Sequence, residues 1–401
     1  MAAATLHETE PHAEIFLLER NDGLGKKVII SGGGRCNVTT GIRDIRTVLS
    51  KYPRGNKFLS SAMYAFPPEA VYAWFESHGV PMKTEDDLRC FPQSNNGRDV
   101  VHVFEKLFAN TNVQVMLKTD VVLVKRNEQD GFTISFKAKA ETLEVDRVLL
   151  TTGGQAYRHT GSTGDGYAFA TSLGHTLTPL APSLNAFFTR EKWPAEISGL
   201  SFEHARITAK RAGDISFTGP FLFTHKGVSG PAVFALSSLV AFESYDANHP
   251  LEIAMDLFPE QTAPALLTTI EKSIAESPNK ILENVLMGIL PKSLAKICVR
   301  EASLPNKKRV TEISKKDLRH CVGWLKAIPL HVIQRGAGDE FVTAGGVPLS
   351  EVNPKTMESN MCPGLFFAGE ILDVDGFTGG FNLQASWATG RLAGTSMGSR
   401  Q

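Results

Sequence analysis

The sequence predicts an α/β protein: a layered domain built from both ends of the chain, 1–183 and 339–401, interrupted by an insert at 184–338. Three observations predict it. Short apolar runs alternate with helical stretches up to residue 150 and again towards the C-terminus, which is the pattern of sheet layered with helix. From about Leu184 the texture changes, with short strands over 184–258 and 327–338 and amphipathic helices over 259–326. At 401 residues the chain is also too long for one ordinary core.

Taken in order, residues 1–12 read as the end of a helix that stops near Pro11. EIFLLE at 14–19 is a short apolar run ending in an acid, as in a buried parallel strand. NDGLGKK and ISGGGRCN follow as a loop rich in glycine and basic residues. Segments 58–78 and 98–109 read as helical, and 113–124, 131–137 and 143–150 as strands, the last running into TTGG. In the insert, NAFFTR, ARITAKRA, ISFTGPFLFT and LEIAMDL read as strands. Leu266, Leu267, Ile270 and Ile274 share one helical face. A second helix carries Ile281, Leu282, Val285 and Leu286, and Pro291 is placed to open a third. KKRVTEISKK at 307–316 reads as a solvated linker face. The insert should therefore hold a β part and a helical part.

Composition removes several functions. Apolar residues make up 42% and charged residues 21%, which is globular rather than disordered. The formal net charge is zero, so no global field draws the chain to nucleic acid or to an anionic membrane. The expected partner is a small-molecule substrate. Cys36, Cys90, Cys298, Cys321 and Cys362 form no CxxC pair and no Cys/His spacing, so neither a disulfide framework nor a metal site is expected. MAAATLHETEPH lacks the basic and apolar regions of a signal peptide, and no apolar run is long enough to cross a bilayer. A cytoplasmic location is expected.

The glycine-rich segments carry the chemistry. Glu19 stands where a dinucleotide-binding βαβ unit places the acid that accepts from the adenosine ribose, about 20 residues after a GxGxxG turn. No GxGxxG occurs in the sequence. A surface acid at a strand end fits Glu19 equally well on this evidence alone. ISGGGRCN leaves three glycines without side chains, so their N–H groups can face a planar or anionic ligand, and Arg35, Lys26 and Lys27 can offset charge. In VLLTTGG an apolar strand crosses into Thr-Thr-Gly-Gly. In GSTGDGYAFA, Asp165 stands at a helix start, as a ligand-facing residue or as an ordinary N-cap. GLFFAGEILDVDGFTGGFNLQASWATGRLAG places Glu370, Asp373 and Asp375 before a glycine-opened helix, whose N-terminus suits developing negative charge.

GKKVIISGGGRCNVTT, LFTHKGVSGPA, VTAGGV and GEILDVDGFTGGFNLQASWATGRLAG together resemble the bacterial YhiN/BaiN-like FAD-dependent oxidoreductases, which include aminoacetone oxidase-type members. The resemblance runs from about residue 1 to 395. It implies a discontinuous Rossmann-like FAD-binding domain built from both ends of the chain, with an inserted β-barrel-like plus helical domain. It further implies that Glu19 holds the adenosine ribose, and that Lys26, Gly32, Gly33, Gly34, Arg35, Cys36 and Asn37 line the pyrophosphate and flavin. Val122 would meet adenine through its backbone, and Thr152, Gly153 and Gly154 would pass the middle of the cofactor. Gly369, Glu370, Asp373, Gly380, Phe381, Asn382 and Gln384 would cradle the ribityl chain and ring.

Members of that family open with a strand and a GxGxxG-type turn, whereas this chain begins after them. The expectation is an N-terminal truncation at an internal methionine, with weak or absent FAD binding by the chain as written. The leading functional expectation is hydride transfer from NAD(P)H, through flavin, to a small conjugated or carbonyl compound. The alternatives are a flavin amine oxidase producing hydrogen peroxide, and a non-catalytic remnant that no longer holds FAD. Cys36, Arg89, His225 and Arg335 are candidates to face a substrate, and no catalytic acid or base is assigned among them.

Overall fold

The computed structural model describes residues 1–138, 140–211, 213–336 and 341–399. The chain divides into two compact units, Met1–Ser183 with Glu340–Gln401, and Leu184–Asp339. The expected return at 338/339 falls within 337–340, outside the described residues.

In the first unit the parallel strands form two separate pairs rather than one sheet. Ile15–Leu18 pairs with Val113–Met116, and Leu365–Phe367 pairs with Val148–Leu150. Antiparallel pieces accompany them: Thr39–Thr40 with Arg89–Pro92 and Met82–Thr84, a meander over Val121–Arg126, Phe132–Phe136 and Thr142–Val145, and Ala181–Ser183 with Val342–Ala344. The run 113–124, expected as one strand, thus serves two sheets. Its break includes Lys118 in the left-handed region at φ 52°. Helix 58–78 is likewise two helices, Ser60–Ala65 and Pro68–Ser77, because Pro67-Pro68 ends one and opens the next.

The C-terminal helix Phe381–Gly398 organises the core of this unit. Trp387 packs against Phe75 and Phe104, while Phe381 meets Tyr52 edge to face. Its other side carries Gly390, Gly394 and Gly398, four residues apart and so on one face. The first helix, Ala2–Thr9, lies against that stripe. A Cβ at Gly394 would stand 2.5 Å from the Ala2 carbonyl oxygen, and one at Gly398 2.7 Å from Thr9 Oγ1. Small residues are what let the two backbones approach.

The second unit contains a closed six-stranded barrel in the order Phe187–Thr189, Gly227–Ser229, Ile215–Thr224, Ser201–Ala209, Leu251–Asp256 and Ile328–Arg335. Alternate residues point inward, with Ile207, Phe221, Phe223, Ile253, Met255, Leu330 and Val332 all fully buried. The helices Ala263–Glu276, Leu282–Leu286, Lys292–Glu301 and Lys315–Lys326 share its apolar core. Pro291 caps the third of these instead of occupying its first turn. Two expectations fail here. Pro231–Leu239 is a helix inside the stretch read as strands, and 307–316 contains the 3-10 turn Val310–Glu312 and the start of a helix rather than a linker. Among the described residues no helix is long and apolar enough to cross a membrane.

Candidate functional site

The glycine-rich segments of the first unit come together around the start of the C-terminal helix. Lys26–Ile30 leads into a turn in which Gly32, Gly33 and Gly34 take φ of 58°, 70° and 86°. These are left-handed values that glycine alone adopts without strain. A Cβ at Gly33 or Gly34 would meet nothing within 4 Å, so this backbone lies open. Cys36 closes the turn with φ 59° and is fully buried. Burial pushes its thiol up to about 12, so it is a packed, protonated group.

Asn37 joins this turn to the far end of the chain. With its amide oriented to satisfy its neighbours, Nδ2 donates to the carbonyls of Thr39 (3.0 Å) and Cys90 (3.2 Å), and Oδ1 accepts from Gly380 N–H (2.9 Å). Gly380 is the N-cap of the helix Phe381–Gly398 at φ 90°, and no side chain caps that helix. A Cβ at Gly380 would stand 2.4 Å from the Thr39 oxygen, which is why the position requires glycine. The first N–H groups of the helix have no intrahelical acceptor and lie beside the open glycine turn. They supply the positive end of a helix dipole.

The strand Leu365–Phe367 runs into Gly369 at φ 76°, whose N–H donates to Thr389 Oγ1. Glu370 is held on both oxygens: Lys27 Nζ at 2.5 Å and the Thr343 N–H at 2.8 Å. Gly154, after the strand Val148–Leu150, packs so closely that a Cβ would meet Thr343 Oγ1 at 2.4 Å. Thr152 is exposed, and Gly153 has φ 73°. Asp373 differs from Glu370. Its Oδ1 is buried without a hydrogen-bond partner, and burial raises its carboxyl above the usual range despite contacts with Thr178 and Gly345.

Other residues named from the sequence are engaged elsewhere. Lys26 pairs with Asp22 at 2.7 Å, leaving Lys27 as the lysine that reaches the site. Arg35 pairs with Glu85 at 2.7 Å and lies over the Phe91 ring. Glu19 accepts from Asn21 through both its backbone and side-chain N–H. Phe381 accepts on its carbonyl from the Tyr52 hydroxyl, Asn382 clasps Gly376 through two hydrogen bonds of 2.8 Å, and Gln384 is buried between Thr39 and the Phe66 carbonyl. Asp375, part of the same acidic cluster, is buried and held by Arg54 and Ser183. Val122 is exposed at a register shift between Val121 and Leu123, so it has no paired residue in the facing strand. Arg89 pairs with Asp87 and Glu85. Arg335 binds the carbonyls of Val240, Ala241 and Glu243, and His225 is an exposed turn residue, both in the second unit.

Sequence reasoning missed Tyr167, Thr343 and the pairing of Lys27 with Glu370. Tyr167 lies in GSTGDGYAFA, two residues from the Asp165 that drew attention. The residues gathered here fit a flavin nucleotide. They offer open glycine backbone, an uncapped helix N-terminus, and unpartnered polar atoms on Tyr167 and Asp373.

A family model described as the HI0933-like protein Rossmann domain matches residues 1–396. The 3-dehydro-bile acid delta(4,6)-reductase of Clostridium scindens is 29% identical over 403 residues, covering all of this chain and 96% of that protein. A ribosomal RNA dihydrouridine synthase of Haemophilus influenzae is 27% identical over 393 residues, covering 96% of this chain and 93% of that protein. Among solved structures, 3-ketosteroid delta1-dehydrogenase of Sterolibacterium denitrificans matches with a TM-score of 0.50 and 12% identity, over 99% of this chain and 96% of that one. That last likeness is one of fold.

Proposed function

This chain belongs to the HI0933-like Rossmann-domain family and is an FAD-dependent oxidoreductase, and from that premise we propose that it reduces a carbon–carbon double bond conjugated to a carbonyl in a small molecule, with NAD(P)H as donor. The observation that carries the reading is the chemistry shared by two relatives of different substrate. A delta(4,6)-reductase acting on a 3-dehydro-bile acid and a synthase making dihydrouridine both saturate such a bond. FAD, when bound, supplies the hydride.

The chain's own part is binding, orientation and charge. Gly33 and Gly34 let a flat group approach the backbone. The helix start at Gly380–Phe381, steadied by Asn37, sets N–H groups towards negative charge developing on the reduced group. Lys27 and Thr343 fix Glu370 in one position. Cys36, held protonated by burial, takes no part as a thiolate.

Anaerobic titration tests the proposal. NADH or NADPH should bleach the flavin absorbance, and a 4-en-3-one steroid or similar enone should restore it. Bleaching by an amine alone would favour the peroxide-producing oxidase, and no bleaching by either reductant would refute the reductase.

One observation favours a second substrate, uracil within RNA. Lys307, Lys308, Arg309, Lys315 and Lys316 are exposed on the helical part of the second unit, and none has an ion-pair partner among the described residues. Loss of dihydrouridine from ribosomal RNA on gene deletion, restored by complementation, would move the assignment to RNA and displace the small molecule.

A further inference from the structure

Cys298 and Cys321 are free thiols, both 0% exposed, with their sulfurs 3.8 Å apart. Cys298 lies on the helix Lys292–Glu301 and Cys321 on Lys315–Lys326, so the contact joins two helices of the second unit. Both belong to the apolar core that these helices share with the barrel. Cys36, Cys90 and Cys362 stand in the first unit. Burial alone explains a single cysteine, which fills a core as a small hydrophobe. Two in contact add a chemistry that one lacks. A disulfide holds its sulfurs about 2.0 Å apart, so these must close by about 1.8 Å. Rotation about one Cα–Cβ bond sweeps a sulfur through more than that.

Access decides when the pair reacts. The contact with Cys321 first, then burial, push the Cys298 thiol up, so in the closed fold it stays neutral and reaction waits on opening. The connection from 302 to 314 supplies that opening. Its one helical element is the 3-10 turn Val310–Glu312, so Lys315–Lys326 can lift from Lys292–Glu301 without unravelling either helix.

We propose that Cys298 and Cys321 form an oxidative modification site, which hydrogen peroxide converts to a disulfide that ties the two helices together. One thiol sulfur attacks the peroxide, the O–O bond breaks, and a sulfenic acid and one water form. The second thiol attacks that sulfur, the S–O bond breaks as the S–S bond forms, and a second water leaves with the remaining thiol proton. The sulfurs give up two electrons and the peroxide accepts them, so no other co-reactant enters. The product closes a loop between residues 23 positions apart and so restricts the unfolded chain. This site stands independently of the flavin reading.

The test exposes the full chain to hydrogen peroxide, alkylates the remaining thiols in denaturant, and maps the peptides. The expected product is one intramolecular link between Cys298 and Cys321, leaving three of the five thiols to alkylate. Dithiothreitol should reverse it. The linked chain should melt about 5–10 °C above the reduced one. Sub-denaturing urea should speed the reaction, because opening precedes it. Cys298→Ala and Cys321→Ala should each form no link. Five alkylated thiols after peroxide, with urea and without, would overturn the proposal. Sulfinic acid at either sulfur with no link would overturn it as well, as would a link to Cys36, Cys90 or Cys362 instead. A link that lowers the midpoint would show that the fold does not accommodate the bond, and would overturn it too. These outcomes are read on the parent chain, so they hold even where an alanine variant fails to fold.

Discussion

Replacing Arg54 with methionine should destabilise the first unit by about 3–5 kcal/mol, the cost of leaving a buried carboxylate without its partner. The carboxylate is Asp375, whose side chain is 0% exposed and which Arg54 grips with two nitrogens, Nε to Oδ1 and Nη2 to Oδ2. Ser183 Oγ adds a hydrogen bond to Oδ2 at 2.9 Å, too little to stand in for a guanidinium. Domains of this kind are stable by about 5–15 kcal/mol in all, so the loss is a large fraction. The assay is urea denaturation of the purified chain, read together with hydrogen exchange along the helix Phe381–Gly398, which packs near this turn. A second arm separates pairing from packing. Replacing both partners, Arg54→Met with Asp375→Leu, should recover most of the loss, since an apolar pair of similar volume tolerates burial. A loss below about 1 kcal/mol for Arg54→Met, or a double variant no better than the single one, would refute the reasoning.

Three further outcomes follow from the same geometry. Gly380→Ala should cost about 2 kcal/mol or more in stability and abolish FAD uptake, because φ is 90° and the new Cβ would stand 2.4 Å from the Thr39 oxygen; FAD retention at parent levels on a desalting column would contradict it. Gly394→Val should lower the melting midpoint by separating the two N- and C-terminal helices, whose backbones leave 2.5 Å for a Cβ, at a cost of about 1–3 kcal/mol; an unchanged midpoint would show that the stripe is not a tight contact. Cys36 gives a pH signature. Its folded thiol lies near 12 and its reference value is 9.0, so the neutral form is favoured by folding: its contribution is complete below pH 9 and is lost as pH rises towards 12. The stability of the parent relative to Cys36→Ala should therefore fall by about 2 kcal/mol between pH 9 and 10.5, and a pH-independent difference in urea midpoints would refute the assignment.

Much of the fold was legible because its signals are local. Strands that end on glycine at 153–154 and 369 announce themselves, since Gly153 and Gly369 take left-handed φ of 73° and 76° and Gly154 leaves no room for a Cβ beside Thr343, and the inward alternation of the barrel strands follows the period of a half-buried sheet. Pro231–Leu239 was not legible. It buries Ala232, Val233, Ala235, Leu236, Ser237 and Ser238, so it is apolar around much of its circumference and shows no helical period to read. The contact of Cys298 with Cys321, Sγ to Sγ 3.8 Å, was also hidden, because two helices 23 residues apart meet only in three dimensions.

The candidate site shows the same division more sharply. From the sequence, the acids and amides of GEILDVDGFTGGFNLQ read as one ligand-facing group, because a bare turn would not need so many. The turn does need them. Asp375 anchors it to Arg54, Asn382 closes it onto Gly376, Gln384 ties it to Thr39 and Phe66, and Glu370 fastens it to Lys27, 343 positions away in sequence. Residue type alone cannot separate a group that builds the turn from one that the turn presents, since both are polar. Hydrogen-bond satisfaction can. Glu370, Asp375, Asn382 and Gln384 each have protein partners, whereas Asp373 Oδ1 is buried with no hydrogen-bond partner, and within this turn that atom is the one with capacity for a ligand.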